Sequence, residues 1–181
     1  MNQYINHIAK YYSTSTISST KINSKSYSAV QSAWLAAAQI ARKKGYPCAA
    51  SMIECSVKNV PYKENSINAT AQCSKKIIKT SAYKSFFKNA KGKKSHSGKI
   101  AFTKNMNSDL FYALHNVDIK SSRWGASNYA SYAITVTDTF DFARDNNYND
   151  LFTTIINNWA WLCQQTGCLH KIRVEITFVR S

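Results

Sequence analysis

The nine residues HKIRVEITF at positions 170–178 decide the fold class of this chain. Apolar and polar side chains alternate along them without a break, which is the period-two pattern of a strand with one buried face. The alternation predicts core-facing side chains at Ile172, Val174, Ile176 and Phe178. The polar residues between them are expected to face water.

Further strands are predicted earlier in the chain. Residues 99–103 alternate in the same way, and residues 132–137 are rich in β-branched and aromatic side chains. Between them, Val117 marks the buried face of another strand. A short helix capped by Ser108 or Asp109 is expected to lead into that strand.

Helices are predicted ahead of these strands. Residues 29–44 carry apolar side chains at helical spacing, with Ser28 as the N-cap and Gly45 at the end. A proline suits the first turn of a second helix over 47–58, so the two helices should form an antiparallel hairpin. Residues 66–90 continue with helical character, and the loop that follows is lysine-rich.

A long amphipathic helix stands between the last two predicted strands. Asn149 or Asp150 caps it, Gly167 closes it, and its apolar residues form one stripe. That stripe consists of Leu151, Phe152, Ile155, Ile156, Trp159, Leu162 and Cys163. The order of elements predicts an α+β fold, in which amino-terminal helices precede a twisted antiparallel sheet with this helix packed on it.

The domain organisation follows from the same pattern. Residues 1–26 are rich in Ser and Thr and are expected to be a flexible leader. Residues 27–181 are expected to form a single domain, with a basic helical part at 27–95 and a sheet plus helix at 96–181.

Charge is the strongest functional signal in the composition. Of the 181 residues, 44% are hydrophobic, which excludes a disordered chain, and the formal net charge is +15. Residues 1–104 hold 18 Lys and Arg against two acids, whereas residues 105–181 hold six against seven. Such asymmetry favours an anionic partner, namely nucleic acid, lipid headgroups or cell wall. A solvated lysine-rich surface without a partner is the alternative.

The lysines that follow the second helix are the predicted anion-binding residues. They are Lys75, Lys76, Lys79, Lys84, Lys88, Lys91, Lys93 and Lys94. Their ammonium groups would bind phosphates, while Phe86 and Phe87 would stack on bases, enter headgroups, or simply belong to the core. Arginine is scarce in this stretch, which disfavours specific base recognition.

The five cysteines are expected to be reduced. No C-x-x-C motif occurs, and Cys48 and Cys55 would share one buried helix face. Cys163 and Cys168 flank a helix end and would pair only in an oxidising compartment. No apolar run is long enough to cross a bilayer, and no secretory signal is visible at the amino terminus.

Two carboxylates and a histidine are candidate catalytic residues. Asp138 and Asp141 come directly after the predicted strand at 132–137, where carboxylates hold a divalent metal ion or divide acid and base roles. His115 is the third candidate. An aspartate at a strand exit also caps a turn through its own backbone, and this structural role is the alternative. No cofactor-binding motif is evident.

Three short motifs resemble a loosely defined group of Gram-positive bacterial proteins without an assigned role. The motifs are GYPCAA at 45–50, DLFYALH at 109–115 and TDTFDF at 137–142. The resemblance covers most of residues 28–179. It implies a bacterial origin, and proteins of this group are often exported or form the ends of larger proteins.

A fainter similarity is to the activity domain of colicin M-type bacteriocins, which cleave the lipid-linked peptidoglycan precursor. In that family an Asp-x-Tyr-Asp motif follows a strand, and a His-Arg pair comes shortly after. Asp138 and Asp141 match the two aspartates, whereas Phe140 replaces the tyrosine and Asn147-Tyr148 stands where His-Arg would fall. The resemblance implies a phosphodiesterase in which only the two aspartates carry over.

Binding of an anionic cell-envelope partner is therefore the predicted function, by a bacterial basic domain that is exported or acts at the cell surface. Two alternatives stay open. One is a colicin M-like antibacterial hydrolase, with a divalent metal ion as the only cofactor it would need. The other is a nucleic-acid-binding protein that uses residues 75–104.

Overall fold

The computed structural model describes residues 24–125, 130–142 and 159–180. The helices are α1 (Ser24–Lys43), α2 (Pro47–Lys58), α3 (Ser74–Ile77), α4 (Ser81–Ala90) and α5 (Ser108–Ala113). The strands are β1 (Tyr62–Ser66), β2 (Ser95–Ala101), β3 (Asn116–Trp124), β4 (Ser131–Phe140) and β5 (Ile172–Arg180). A 3-10 turn spans Ile67–Ala69, and residues 159–165 are also helical.

The predicted α+β fold is confirmed, with helices ahead of one five-stranded sheet of order β1-β5-β4-β3-β2. Three pairs of neighbouring strands are antiparallel, namely β2 with β3, β3 with β4, and β4 with β5. The sheet is mixed because β1 pairs parallel with β5, where Tyr62 lies opposite Val174. The chain therefore places β5 between β1 and β4.

The sheet buries one face and exposes polar side chains on the other. On β5, the four core-facing residues predicted from the alternation are at most 3% exposed. On β4, Ile134 and Val136 are buried on the same side. Helix α4 covers this face, since Tyr83 packs on Phe178 and Phe87 packs on Tyr132.

The predicted helical hairpin is present, but its first helix begins earlier than expected. Helix α1 starts at Ser24, so Ser28 lies within the helix and is not its N-cap. Helix α2 has a proline in its first turn and ends at Lys58, which confirms the helix predicted over 47–58, and Asn59 is its C-cap. Asn59 adopts the left-handed conformation, from which its N–H reaches the carbonyls of Cys55 and Ser56.

Two strands begin where helix or loop was expected. Strand β1, with the sequence YKENS, lies inside the predicted basic helical part, and β2 starts at Ser95 within the predicted loop. Strand β1 and the first residues of β2 carry no alternating apolar pattern, because both are edge strands held by backbone pairing with β5 and β3. The alternation predicted over 99–103 falls at the end of β2, which stops at Ala101. The predicted helix over 66–90 is the 3-10 turn followed by α3 and α4.

A second cluster of apolar side chains joins the hairpin to the chain before β5. Trp34 of α1 stacks on Trp159 with ring centroids 4.5 Å apart, and Phe142 lies against Trp34 at 6.0 Å. The described end of the predicted long helix therefore packs on the hairpin. The remainder of that helix lies outside the described residues, and so does its predicted cap, Asn149 or Asp150. Residues 1–23 of the predicted leader lie outside them as well.

Two buried carboxylates cap helix N-termini from distant positions. Asp109, 2% exposed, accepts hydrogen bonds from the backbone N–H groups of Cys48 and Ala49 at 3.1 and 3.0 Å. Glu64 accepts those of Cys73 and Ser74 at 2.8 and 2.7 Å. Each satisfies N–H groups that have no partner inside their own helix. The predicted cap of α5 was Ser108 or Asp109, but Asn107 caps that helix instead.

All five cysteines are free thiols, as predicted. Cys48 is fully buried, whereas Cys55 is only half-buried. A hydrogen bond with Cys73, together with burial, raises the pKa of the Cys48 thiol far above its ordinary range. Within the described ranges, no helix is both long and apolar enough to span a bilayer.

Candidate anion-binding site

Helix α4 holds the central part of the lysine-rich stretch on the sheet. The Thr80 side chain caps the helix by accepting a hydrogen bond from the Tyr83 N–H at 3.2 Å. The apolar face of the helix is buried and consists of Tyr83, Phe86, Phe87 and Ala90. Lysines alternate with that face at helical spacing, so Lys84 and Lys88 are left in solvent.

The aromatic side chains of α4 are core residues. Phe86 stacks on His96 of β2 at 5.1 Å, and Phe87 meets Tyr132 edge to face at 5.3 Å. Just beyond the helix, the Gly92 N–H donates to the Tyr132 hydroxyl at 2.8 Å. These contacts hold the helix and the start of the loop on the sheet, with Lys84 and Lys88 on the exposed side of the helix.

Most of the predicted anion-binding lysines are exposed and unpaired. Lys76 is the exception, because its ammonium group donates to Asp109 at 2.6 Å and to the Gly45 carbonyl at 3.1 Å. The exposed lysines are Lys75, Lys79, Lys84, Lys88, Lys91, Lys93 and Lys94. Among the residues that the structure describes, none of these seven forms an ion pair.

Three of the lysines converge on one cavity of about 290 Å³ with the last residue of β5. Lys84, Lys88, Lys91 and Arg180 line it, together with Tyr83, Phe87 and Ile78. Lys91 lies over the Phe87 ring, with its nitrogen 5.6 Å from the ring centroid. The cavity thus has a cationic rim and an aromatic wall, and among the described residues no acidic side chain lines it.

The floor of this cavity holds two polar groups. The Tyr83 hydroxyl and the Arg180 Nε are both buried; the Arg180 guanidinium lies close enough to donate to the Tyr83 oxygen, but the hydroxyl proton and the Nε–H have no acceptor in the described part of the chain. Burial raises the pKa of Tyr83 to about 12, although the nearby Arg180 guanidinium acts in the opposite direction. The tyrosine therefore keeps its proton at neutral pH and is available as a donor.

The three candidate catalytic residues do not form one site. Asp138 lies inside β4 instead of after it, and accepts a hydrogen bond from the Thr139 N–H at 2.7 Å. Burial raises the pKa of Asp138 to about 6; the Thr139 hydrogen bond opposes that change, and the charge of Asp141 adds to it. Asp141 pairs with Lys171 at 3.2 Å.

His115 is separate from both aspartates in its contacts. It follows α5 with a φ of 33°, its ring packs on Phe111 at 4.9 Å, and its carbonyl accepts the Phe102 N–H at 2.7 Å. Within the described ranges, no three His, Cys, Asp or Glu side chains are grouped to hold a metal ion. Arg144, which follows the aspartates in sequence, lies outside the described residues.

Sequence reasoning missed Tyr83 and Arg180. Tyr83 directly precedes Lys84 in the lysine-rich stretch, but nothing in the sequence of that stretch shows that its hydroxyl is buried. Arg180 had a signal, since continuing the alternation of β5 beyond Phe178 places residue 180 on the core side of the sheet. Its position beside α4 depends on tertiary packing.

Comparison of the chain with family models, with curated proteins and with solved structures finds no match.

Proposed function

We propose that this α+β domain binds an anionic partner at the bacterial cell envelope through the lysines of residues 75–94. One observation carries the proposal. This stretch holds eight lysines and no acidic residue, and seven of the lysines are exposed without an ion pair in the described part of the chain. A cluster of like charges without counter-charges favours binding to a surface of opposite charge.

The chemistry of lysine favours an extended anionic surface over a specific sequence of bases. An ammonium group attracts phosphate as a point charge, whereas base recognition uses the planar fork of arginine. The cationic cavity contains a single arginine, and the aromatic rings of α4 are in the core, where they cannot stack on bases. Lipid headgroups and wall polymers are therefore the favoured partners. The resemblance to exported Gram-positive proteins supports the same location.

The test compares two triple variants with the same loss of charge. In the first, Lys84, Lys88 and Lys91 are replaced by Gln; in the second, the exposed sheet residues Lys63, Lys99 and Lys120 are replaced. Binding is measured by co-sedimentation with phosphatidylglycerol vesicles and with isolated cell wall over a range of salt concentrations. Each lysine near an anionic membrane contributes about 1 kcal/mol, so the first variant should bind on the order of 100-fold more weakly.

The control variant should change binding much less. Equal losses in the two variants would mean that only net charge matters, and the proposed surface would be wrong. Tight, steeply salt-dependent binding to DNA, with no binding to vesicles or wall, would favour the nucleic-acid alternative.

One observation favours the hydrolase as a second candidate. The raised pKa of Asp138, about 6, suits a general acid near neutral pH. A colicin M-like toxin would lose its toxicity in Asp138→Asn and Asp141→Asn variants that still fold. The control is Glu54→Gln, a carboxylate of α2 that pairs with Arg42 and does not contribute to the raised pKa of Asp138. Unchanged toxicity in the first two variants, or no toxicity in the wild type, would exclude this role.

A further inference from the structure

We infer that the cavity between α4 and the end of β5 is a binding site for a single phosphate group. This inference rests on the proposed function and names the chemical group that the lysine-rich surface recognises. The site is built from the side chains of Lys84, Lys88, Lys91, Arg180 and Tyr83.

The first argument is the balance of charge around the cavity. Four cationic side chains line it, and among the described residues no acidic side chain pairs with any of them. Some cations elsewhere in the described chain are paired, such as Arg42 with Glu54 at 2.8 Å, and others, such as Lys79, are not; what these four share is that they line one cavity. Cations that converge without a counter-charge repel one another, and an anion in their midst removes that repulsion.

The second argument is the pair of polar groups in the floor. Tyr83 is 2% exposed, and although the Arg180 guanidinium lies beside its oxygen, its hydroxyl proton has no acceptor among the described residues. The Arg180 Nε beside it is equally without one. Unsatisfied buried donors are costly, and their presence here is explained if an acceptor supplied by a ligand completes them. The lysines above are flexible enough to let that ligand approach.

The third argument selects phosphate over a carboxylate. A phosphate monoester carries close to two negative charges and offers three strong acceptor oxygens, whereas a carboxylate carries one charge on two oxygens. The cavity presents four cations from α4, the residue after it and the end of β5, so a doubly charged anion there meets more than two cationic side chains. A volume of about 290 Å³ admits a phosphate group with its linkage atoms.

The direct test titrates the full chain with inorganic phosphate and follows backbone amide resonances by NMR at constant ionic strength. Phosphate should shift resonances of residues 83–91 and 180, and chloride should not. Arg180→Gln should weaken phosphate binding by about tenfold, since charge-assisted hydrogen bonds are lost. Lys79→Gln, a change outside the cavity with the same loss of charge, should weaken it less than about twofold.

Two further variants keep the test decisive. Tyr83→Phe removes a buried hydroxyl whose proton has no acceptor among the described residues, so it should weaken phosphate binding about threefold while leaving stability unchanged or higher. Lys88→Gln replaces an exposed side chain and serves if Arg180→Gln does not fold. Equal effects of phosphate and chloride, or equal losses in the Lys79 and cavity variants, would overturn the inference.

The same variants separate this inference from the proposed function. If phosphate selectivity is absent but binding to phosphatidylglycerol vesicles persists, the cavity is not a phosphate site and the envelope proposal stands. If phosphate binds but neither vesicles nor wall polymer do, the envelope proposal fails alone. Loss of binding to vesicles in Arg180→Gln would identify a lipid headgroup as the source of the phosphate, and loss of binding to a glycerol-phosphate polymer would identify the wall.

Discussion

Replacing Asp109 by Ala should be among the most destabilising single changes in this chain. Asp109 is 2% exposed and accepts three hydrogen bonds, two from the first turn of α2 and one from Lys76. Truncation leaves two helix N–H groups without acceptors and an ammonium group without its counter-charge. The change therefore acts on α2, α3 and α5 together.

The magnitude follows from these contacts. The loss of a helix cap costs about 1 kcal/mol, and breaking a buried ion pair costs about 3–5 kcal/mol. The Lys76 side chain is 26% exposed and can turn toward water, which reduces the second cost. We expect a loss of about 3 kcal/mol in the free energy of unfolding. Asp109→Asn should fall between this variant and the wild type, because an amide oxygen still accepts one N–H.

The assay is urea unfolding at pH 7, followed by tryptophan fluorescence and far-ultraviolet circular dichroism. The matched control is Asp118→Ala, which removes the same charge from an exposed pair with Lys99 at 3.7 Å. Exposed pairs of this kind contribute about 0.5 kcal/mol or less. If Asp109→Ala lost less than about 1 kcal/mol, or no more than the control, the capping role assigned to this carboxylate would be refuted.

Three other changes test separate parts of the structure. Asp138→Asn should stabilise the fold by about 1 kcal/mol at pH 7.5 and not at pH 3.5. The pKa of Asp138 in the folded state, about 6, exceeds the unfolded value of about 3.9, so ionisation of this carboxyl costs stability as the pH rises. An equal effect of the substitution at both pH values would contradict this. Gly45→Ala should cost about 1 kcal/mol in urea unfolding, since φ is +88° there with open space around it, whereas Gly98→Ala should be nearly neutral; equal losses would show that backbone conformation is not the cause. Cys55, the half-buried thiol, should react first with a thiol reagent, and faster labelling of a buried cysteine would indicate local opening of the fold.

The parts of the fold that could be predicted are those encoded locally. The alternation of β5 and the proline at the start of α2 each depend on neighbouring residues, and both predictions are confirmed. Strand β1 could not be predicted, because its burial depends on Glu64, whose carboxylate caps α3. A buried acid in a polar pentapeptide has no local signature. The predicted start of α1 was wrong. In the sequence Ser28 is a typical N-cap residue, but the helix begins at Ser24 and Ser28 lies inside it.

The candidate site divides in the same way. The lysines of α4 and its loop are evident from composition, but Lys76 differs from its neighbours only because Asp109 lies beside it. Tyr83 and Arg180 are far apart in the sequence, so it could not be predicted that they line the same cavity. The density of positive charge could therefore be predicted from the sequence. The arrangement of Lys84, Lys88, Lys91 and Arg180 around one cavity could not.

The parallel pairing of β1 with β5 sets an order for biosynthesis. As the nascent chain leaves the ribosome, β1 has no strand to join until residues roughly 110 positions later appear, since Tyr62 lies opposite Val174. The amino-terminal hairpin can form early from local contacts, while β2, β3 and β4 assemble as a meander with an open edge. The free edge of β4 is covered only once β5 has been synthesised. Truncated or stalled chains would therefore expose a strand edge that is prone to aggregation.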